Sequence, residues 1–279
     1  MTLGLFVVAV LAAPAPGGTP FEHVVAAERA FAADAIREGH HAAFVTAFAE
    51  DGVVFDPTPT NARAKHAGKP RASGTLFWDP AWAVVSSSGD LGFTSGPWQY
   101  KEPGDGTSPP ATGWFFTAWR KQPDGSFKVE ADLGVSAPLN YAAPGDVVDA
   151  SPASTGAPAP RPSSAANARV AIVHAERLLA RAAASGLGAA VLAVAEPSVR
   201  VYRDGVLPAT DADGARKLLT ADTRQADCVF ARVVASASGD LGYAYGTCTS
   251  SKKDKKFGYL RVWHRQADGN WSVLVDVTP

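Results

Sequence analysis

The sequence predicts an α+β fold of two tandem units, each a small cone made by a curved antiparallel sheet with helices at its N-terminal end. Three observations carry this. The stretch WRKQPDGSFKVEAD, from Trp119 to Asp132, returns without a gap as WHRQADGNWSVLVD, from Trp263 to Asp276, with six of fourteen positions identical. Two further landmarks return upstream in the same order: Ser86 to Phe93 as Ser236 to Tyr243, and Glu28-Arg29 as Glu176-Arg177. That reads as one unit present twice. In each copy a helical period comes first, and alternating runs parted by turn signals follow.

A length of 279 residues suits two domains. A net charge of −1 gives no general pull toward nucleic acid or anionic membrane. Lys252, Lys253, Lys255 and Lys256 surround one Asp and read as a solvated hairpin tip, so no nucleic-acid partner is expected.

Leu3 to Ala13 is apolar and gives way to Ala15, Pro16, Gly17 and Gly18. The run is too short to span a bilayer as a helix. With Ala13-Pro14-Ala15 as an A-x-A-like cleavage site, residues 1–18 are expected to be a signal peptide, although no Lys or Arg precedes the run. The expectation is an extracytoplasmic protein, periplasmic or secreted, with no membrane attachment after cleavage. The alternative is a disordered apolar tail.

The first unit is expected over 19–136. Thr19-Pro20-Phe21-Glu22 is a capping-box helix start, followed by Val24, Ala27, Phe31 and Ala35 at helical spacing. Gly39 ends that helix, and a second short one carries Phe44 and Phe48 on one face. Val53 to Asp56 is a short apolar run stopped by Pro57, and Thr58 to Ser73 is a long loop. Strands follow over 75–85, 91–100, 113–121 and 127–135. Pro80 argues for an edge or a bulge in the first, and Asp124-Gly125 is a hairpin turn. The proline-rich stretch 137–167 reads as a linker. The second unit is expected over 168–279. Its first helix shows Val170, Val173, Arg177 and Leu178, its second runs over 187–195, and five strands follow.

The two cysteines, Cys228 and Cys248, flank the Ser238-Gly239-Asp240 turn. A hairpin centred on Ser238 sets them directly opposite. The first copy has Trp78 and Trp98 at the same spacing, which suits facing positions in a sheet. A disulfide is the expectation for an exported chain, against two free thiols if the register slips.

These landmarks carry a resemblance. Each unit is similar to the SnoaL-like branch of the nuclear transport factor 2-like superfamily. The residues concerned are the Glu-Arg helix, the Ala-Glu-Asp-Gly helix end and the Ser-Gly-Asp-Leu-Gly turn. Gly96 and Gly246, and the W-x-x-Q-x-D-G hairpin ending in Asp132 or Asp276, complete them. The resemblance implies the fold and a pairing of the sheets' convex faces. In a tandem chain that pairing is expected internally, as a pseudo-twofold within a monomer. It implies little about chemistry, since the superfamily holds isomerases, cyclases, dehydratases and members without catalysis. Phe48 to Pro57 looks like the helix-to-strand segment of ketosteroid isomerases and places Asp56 where those enzymes have their general base. Their oxyanion-binding Tyr and Asp would fall at Ala32 and near Thr117.

Asp56 is thus the candidate catalytic residue, against a plain Asp-Pro turn. Trp78, Trp98, Trp114, Trp119 and Asp132 are the candidate ligand-binding residues, against core packing for the tryptophans. Glu130 shares strand parity with Asp132, and a solvated strand face is the simpler reading of that pair. The histidines lack ligand spacing, and no metal or cofactor is expected. The leading function is binding of a small apolar molecule in the first unit. The alternatives are a proton-transfer enzyme (isomerase, dehydratase or lyase) using Asp56, and a structural or protein-interaction module with filled cavities.

Overall fold

The computed structural model describes residues 17–104, 109–152, 163–252 and 254–279. The expected signal peptide lies almost wholly on residues 1–16, outside the described residues. No described helix is long and apolar enough to cross a membrane.

Thr19 caps α1 (Pro20–Glu38). Its hydroxyl accepts the Glu22 N–H at 3.2 Å, and the Glu22 carboxylate accepts the Thr19 N–H at 2.7 Å. The helix buries Val24, Glu28, Phe31, Ala32 and Ala35. Gly39, at φ 89°, ends it in a conformation that side-chain-bearing residues avoid. Next comes α2 (His40–Ala47). Phe48, expected on that helix, instead opens β1 (Phe48–Phe55). The loop beyond holds β2 (Pro59–Asn61) and α3 (Ala62–His66). The run broken at Pro80 gives β3 (Thr75–Trp78) and β4 (Trp82–Val85), both paired with β5 (Leu91–Lys101). The sheet continues through β6 (Ala111–Lys121), β7 (Phe127–Asp132) and β8 (Val135–Ser136).

The stretch expected as a free linker starts as part of this sheet. Val148–Asp149 forms β9, parallel to β4, and the Val85 N–H donates to Ser151 Oγ at 3.0 Å. The open edge of β4 offers unpaired backbone groups, and the Pro-rich chain satisfies them.

In the second unit α4 (Ala165–Ala183) is capped by Ser164. It buries Ala168, Ile172, Glu176, Leu179 and Ala183, whereas Val170 and Leu178 are 69% and 50% exposed. The expected apolar face was out of phase because the inward positions include small alanines and a glutamate. After it, α5 (Leu187–Leu192) is shorter than expected, since Ala195 begins β10 (Ala195–Tyr202). An unforeseen helix, α6 (Ala212–Ala221), is capped by Asp211, whose Oδ1 accepts the Gly214 N–H at 2.8 Å. The strands β11 (Ala226–Ala235), β12 (Leu241–Ser250), β13 (Lys256–Arg265) and β14 (Trp271–Val277) complete it.

The fold class is α+β, with two bent sheets and helices on one face of each. The first sheet runs β2-β1-β7-β6-β5-β4-β9, and the second β10-β14-β13-β12-β11. Neither is wholly antiparallel: β1 lies parallel to β7, and β10 parallel to β14. A hairpin enforces antiparallel pairing, but each of these first strands is entered from a helix and meets a partner at its unit's far end. Cys228 stands directly opposite Cys248 between β11 and β12 and forms a disulfide with it, as Trp78 stands opposite Trp98 between β3 and β5.

The two sheets pack face to face. One core joins Trp82, Leu91, Phe93 and Phe116 to Tyr202, Leu241, Tyr243 and Leu260. At its edge the two Ser-Gly-Asp turns interlock. Asp240 accepts the Ser87 N–H at 2.8 Å, Asp90 accepts the Ala237 N–H at 3.1 Å, and Ser88 and Ser238 hydroxyls meet at 2.8 Å. The helices therefore lie on the outer faces, over separate cores.

Candidate functional site

Between α1, α2 and the outer face of the first sheet lies a cavity of about 220 Å³. Phe31, Phe44, Leu76, Trp78, Trp98 and Phe115 wall it, and Asp132 and Gly134 complete the lining. The aromatic packing is edge-on: Phe31 meets Phe44 and Trp78, each at 4.9 Å between centroids.

Beneath this cavity sits Glu28, fully buried on α1. Its carboxyl accepts Trp78 Nε1–H at 2.6 Å, Trp119 Nε1–H at 2.9 Å and the Thr94 hydroxyl at 2.5 Å. Burial pushes its pKa up against these hydrogen bonds. Asp132, at the end of β7, borders the cavity itself. Burial raises its pKa to about 7, the Thr117 hydroxyl at 2.7 Å opposes the shift, and the Glu28 charge adds to it. Thr117 touches both acids in effect, lowering each. A threonine hydroxyl has one proton to donate. Here that proton goes to Asp132, and Glu28 is held by the Thr94 hydroxyl and the two indoles.

The second unit builds the same floor with different partners. Glu176 accepts Trp263 Nε1–H at 2.6 Å and the Tyr259 hydroxyl at 3.0 Å. Asp276 pairs across the strands with Arg261, as Asp132 pairs with Thr117. Arg261 donates to Asp276 at 2.8 Å and to Glu176 at 3.0 Å, and Arg203 sits 2.7 Å from Asp276. Burial would push Asp276 up, yet the two arginines hold its carboxyl below the usual range. Arg261 pairs with both acids of the second unit and Arg203 with Asp276, whereas among the described residues no cation pairs with Glu28 or Asp132.

The candidate residues separate accordingly. Trp78, Trp98 and Asp132 line the cavity. Trp119 lies beneath it and serves Glu28. Trp114 does not reach it, being packed against the core between the sheets. Asp56 is a correction: its side chain is 66% exposed and ion-paired with Lys65, which holds its pKa below the usual carboxylate range. It follows the end of β1 and lies outside the cavity lining, so the general-base reading of Asp56 fails. Its counterpart by strand register is Arg203, since Phe55 and Tyr202 occupy matching positions in β1 and β10.

The reading of Glu130 and Asp132 as one solvated face also fails. A bulge opposite Ala118 and Trp119 makes Glu130 an extra residue in β7. Glu130 therefore points between the sheets, where Tyr243 donates to it at 2.7 Å, while Asp132 points to the cavity. Glu28 was missed as a site residue. Its signal was the repeated Glu-Arg pair, combined with its position four residues after Val24 on the apolar face.

No family model matches this sequence, and no curated protein matches it. Solved structures resemble its fold. An NTF-2 like protein of unknown function from Shewanella oneidensis is 17% identical, with 42% of this chain and 98% of that one covered and a TM-score of 0.34. A member of the DUF3225 family from Pectobacterium atrosepticum is 14% identical, covering 40% and 90%, with a TM-score of 0.34. A protein provisionally titled a ketosteroid isomerase from Parabacteroides distasonis is 18% identical, covering 38% and 83%, with a TM-score of 0.33.

Proposed function

We propose that the protein binds a small, largely apolar ring-bearing molecule in the cavity of the first unit, with Asp132 as its main polar contact. The observation that carries this is a single titratable carboxyl bordering an otherwise largely apolar, aromatic-rich cavity of about 220 Å³. An apolar cavity of about 150 Å³ holds benzene, so one or two rings match this one. Asp132, poised near neutrality, can donate a hydrogen bond to a carbonyl or phenol oxygen. Trp98 Nε1 lies near Gly134 on the lining and is a second donor. The test is titration with one- and two-ring ketones and phenols, followed by tryptophan fluorescence. Saturable quenching that Asp132→Asn weakens supports the reading, and a cavity that takes none of them refutes it.

One observation favours a second reading, proton transfer by Asp132. A carboxyl with a pKa of about 7 is matched to moving a proton at neutral pH, and the Thr117 hydroxyl fixes its orientation at 2.7 Å. Exchange of a bound ketone's α-hydrogens with deuterium, lost in Asp132→Asn, separates catalysis from binding alone. The proposal extends to an extracytoplasmic protein, which the Cys228–Cys248 disulfide supports. It also extends to a monomer, which the face-to-face sheets support by covering their inner surfaces within one chain.

A further inference from the structure

We propose a second binding site, in the cleft between the two units, for a small amphiphilic acid with an apolar body and one carboxylate. The cleft encloses about 520 Å³ and draws its lining from both sheets. Val84, Leu241 and Leu274 give it an apolar floor, while Arg200, Glu196 and His264 stand in its wall.

Arg200 carries the argument. Its guanidinium lies 5.0 Å over the Trp82 ring, and its Nε donates to the Tyr202 hydroxyl at 3.1 Å. No carboxylate pairs with it among the described residues. A guanidinium stacked on an indole is fixed in place, and its free N–H groups form a fork suited to a carboxylate. Glu196 cannot serve, because it is already committed. It accepts from the Ser198 hydroxyl, from Gln266 Nε2 at 2.9 Å and from His264 Nδ1 at 2.9 Å. Those bonds outweigh burial and hold its pKa below the usual carboxylate range. An ionised carboxylate only accepts, so His264 carries a proton on Nδ1 and keeps Nε2 for a ligand.

The matching place on the other side of the molecule shows the contrast. There Arg232 takes the position of Trp82 and Glu130 that of Leu274. Arg232 is ion-paired with both Asp51 and Glu130, and Arg120, in the position of His264, also reaches Glu130. That cleft supplies its own counterions. The Arg200 cleft instead has Leu274 where Glu130 stands and Trp82 where Arg232 stands, and Arg200 enters at the position of Val53 with no acid paired to it among the described residues, so an apolar anion complements it.

The experiment uses the whole chain with ¹⁵N-labelled indoles, the Trp82 signal being assigned from Trp82→Phe. The probe is 2-naphthoate, with uncharged 2-naphthylmethanol as control. The expected result is a saturable shift of the Trp82 signal by naphthoate, with the alcohol weaker by about tenfold or more, as for loss of a charged hydrogen-bond partner. Arg200→Met should weaken naphthoate by a similar factor, and Arg200→Lys should restore part of it. An unmoved Trp82 signal, equal binding of acid and alcohol, or shifts confined to Trp78 and Trp98 would each overturn the proposal. If Arg200→Met does not fold, the comparison of acid with alcohol on the unaltered protein still decides.

Discussion

Arg261 faces Asp276 in the second unit at the place where Thr117 faces Asp132 in the first. This one difference sets the character of both interiors. The long cation spans from Asp276 to Glu176 and pairs with both; the short hydroxyl donates to Asp132 alone and leaves the cavity above it open. Arg261→Met should therefore destabilise the protein strongly, by about 3–5 kcal/mol, because two buried carboxylates lose their shared partner. Urea unfolding measures it. A loss below about 1 kcal/mol would mean that the pair adapts by taking up protons or water.

Asp132→Asn should change the pH dependence of stability. The folded pKa of about 7 lies above the ordinary value of 3.8, so the folded state holds a proton that the unfolded state releases. That contribution is fully present below about pH 4 and is lost as pH rises through 7. The asparagine variant resembles the protonated acid, so it should gain thermal stability over the parent at pH 8 and gain none near pH 4. Melting curves at the two pH values check it. An equal offset at both would place Asp132 in an ordinary, solvated state.

Much of this architecture was readable because turn and cap chemistry is local. Thr19 announces α1, and the Ser-Gly-Asp turns announce two hairpins whose register then sets Cys228 opposite Cys248. The site was harder to read because it depends on parity and phase. A single bulged residue in β7 sends Glu130 and Asp132 to opposite faces, and alternation alone cannot reveal it. Glu28 sits among Val24 and Phe31 as a polar break in an apolar stripe, and its worth shows only when two indoles and a threonine converge on it. Asp56 carried the strongest motif, yet the exposed turn that holds it gives Lys65 access.

Asp56→Asn should accordingly leave both ligand binding and turnover unchanged, and shift stability by no more than about 0.5 kcal/mol, as exposed ion pairs do. Titration of the cavity ligand together with a urea melt tests this. A large loss of binding would place Asp56 in contact with the ligand and revive the general-base reading.

Removing the disulfide with Cys228→Ser and Cys248→Ser should cost about 3 kcal/mol, as expected for a loop of this length, with 20 residues separating the cysteines. The loss should fall on the second unit. Hydrogen exchange should quicken in β11 and β12 and stay unchanged in α1 and β6. Uniform quickening throughout would show that the interlocked sheets unfold as a single unit.

The last prediction concerns Glu130, buried between the sheets. It accepts the Tyr243 hydroxyl at 2.7 Å and pairs with Arg120 at 3.1 Å and Arg232 at 3.3 Å. At the matching positions of the other unit stand Leu274 for Glu130, Phe93 for Tyr243 and Trp82 for Arg232, an apolar solution to the same packing problem. Glu130→Leu alone should cost about 3 kcal/mol, since it takes a buried partner from the Tyr243 phenol and leaves Arg120 and Arg232 only their outer partners Asp90 and Asp51. Tyr243→Phe alone should cost about 1–3 kcal/mol, for one hydrogen bond to a charged acceptor. Combined with Arg232→Trp, the two changes reproduce the apolar arrangement, and the triple variant should recover much of the stability lost by Glu130→Leu. Urea unfolding of the singles and the triple gives the coupling. Strictly additive losses would show that the two sides of the interface tolerate different packing and that the apolar solution cannot be transplanted.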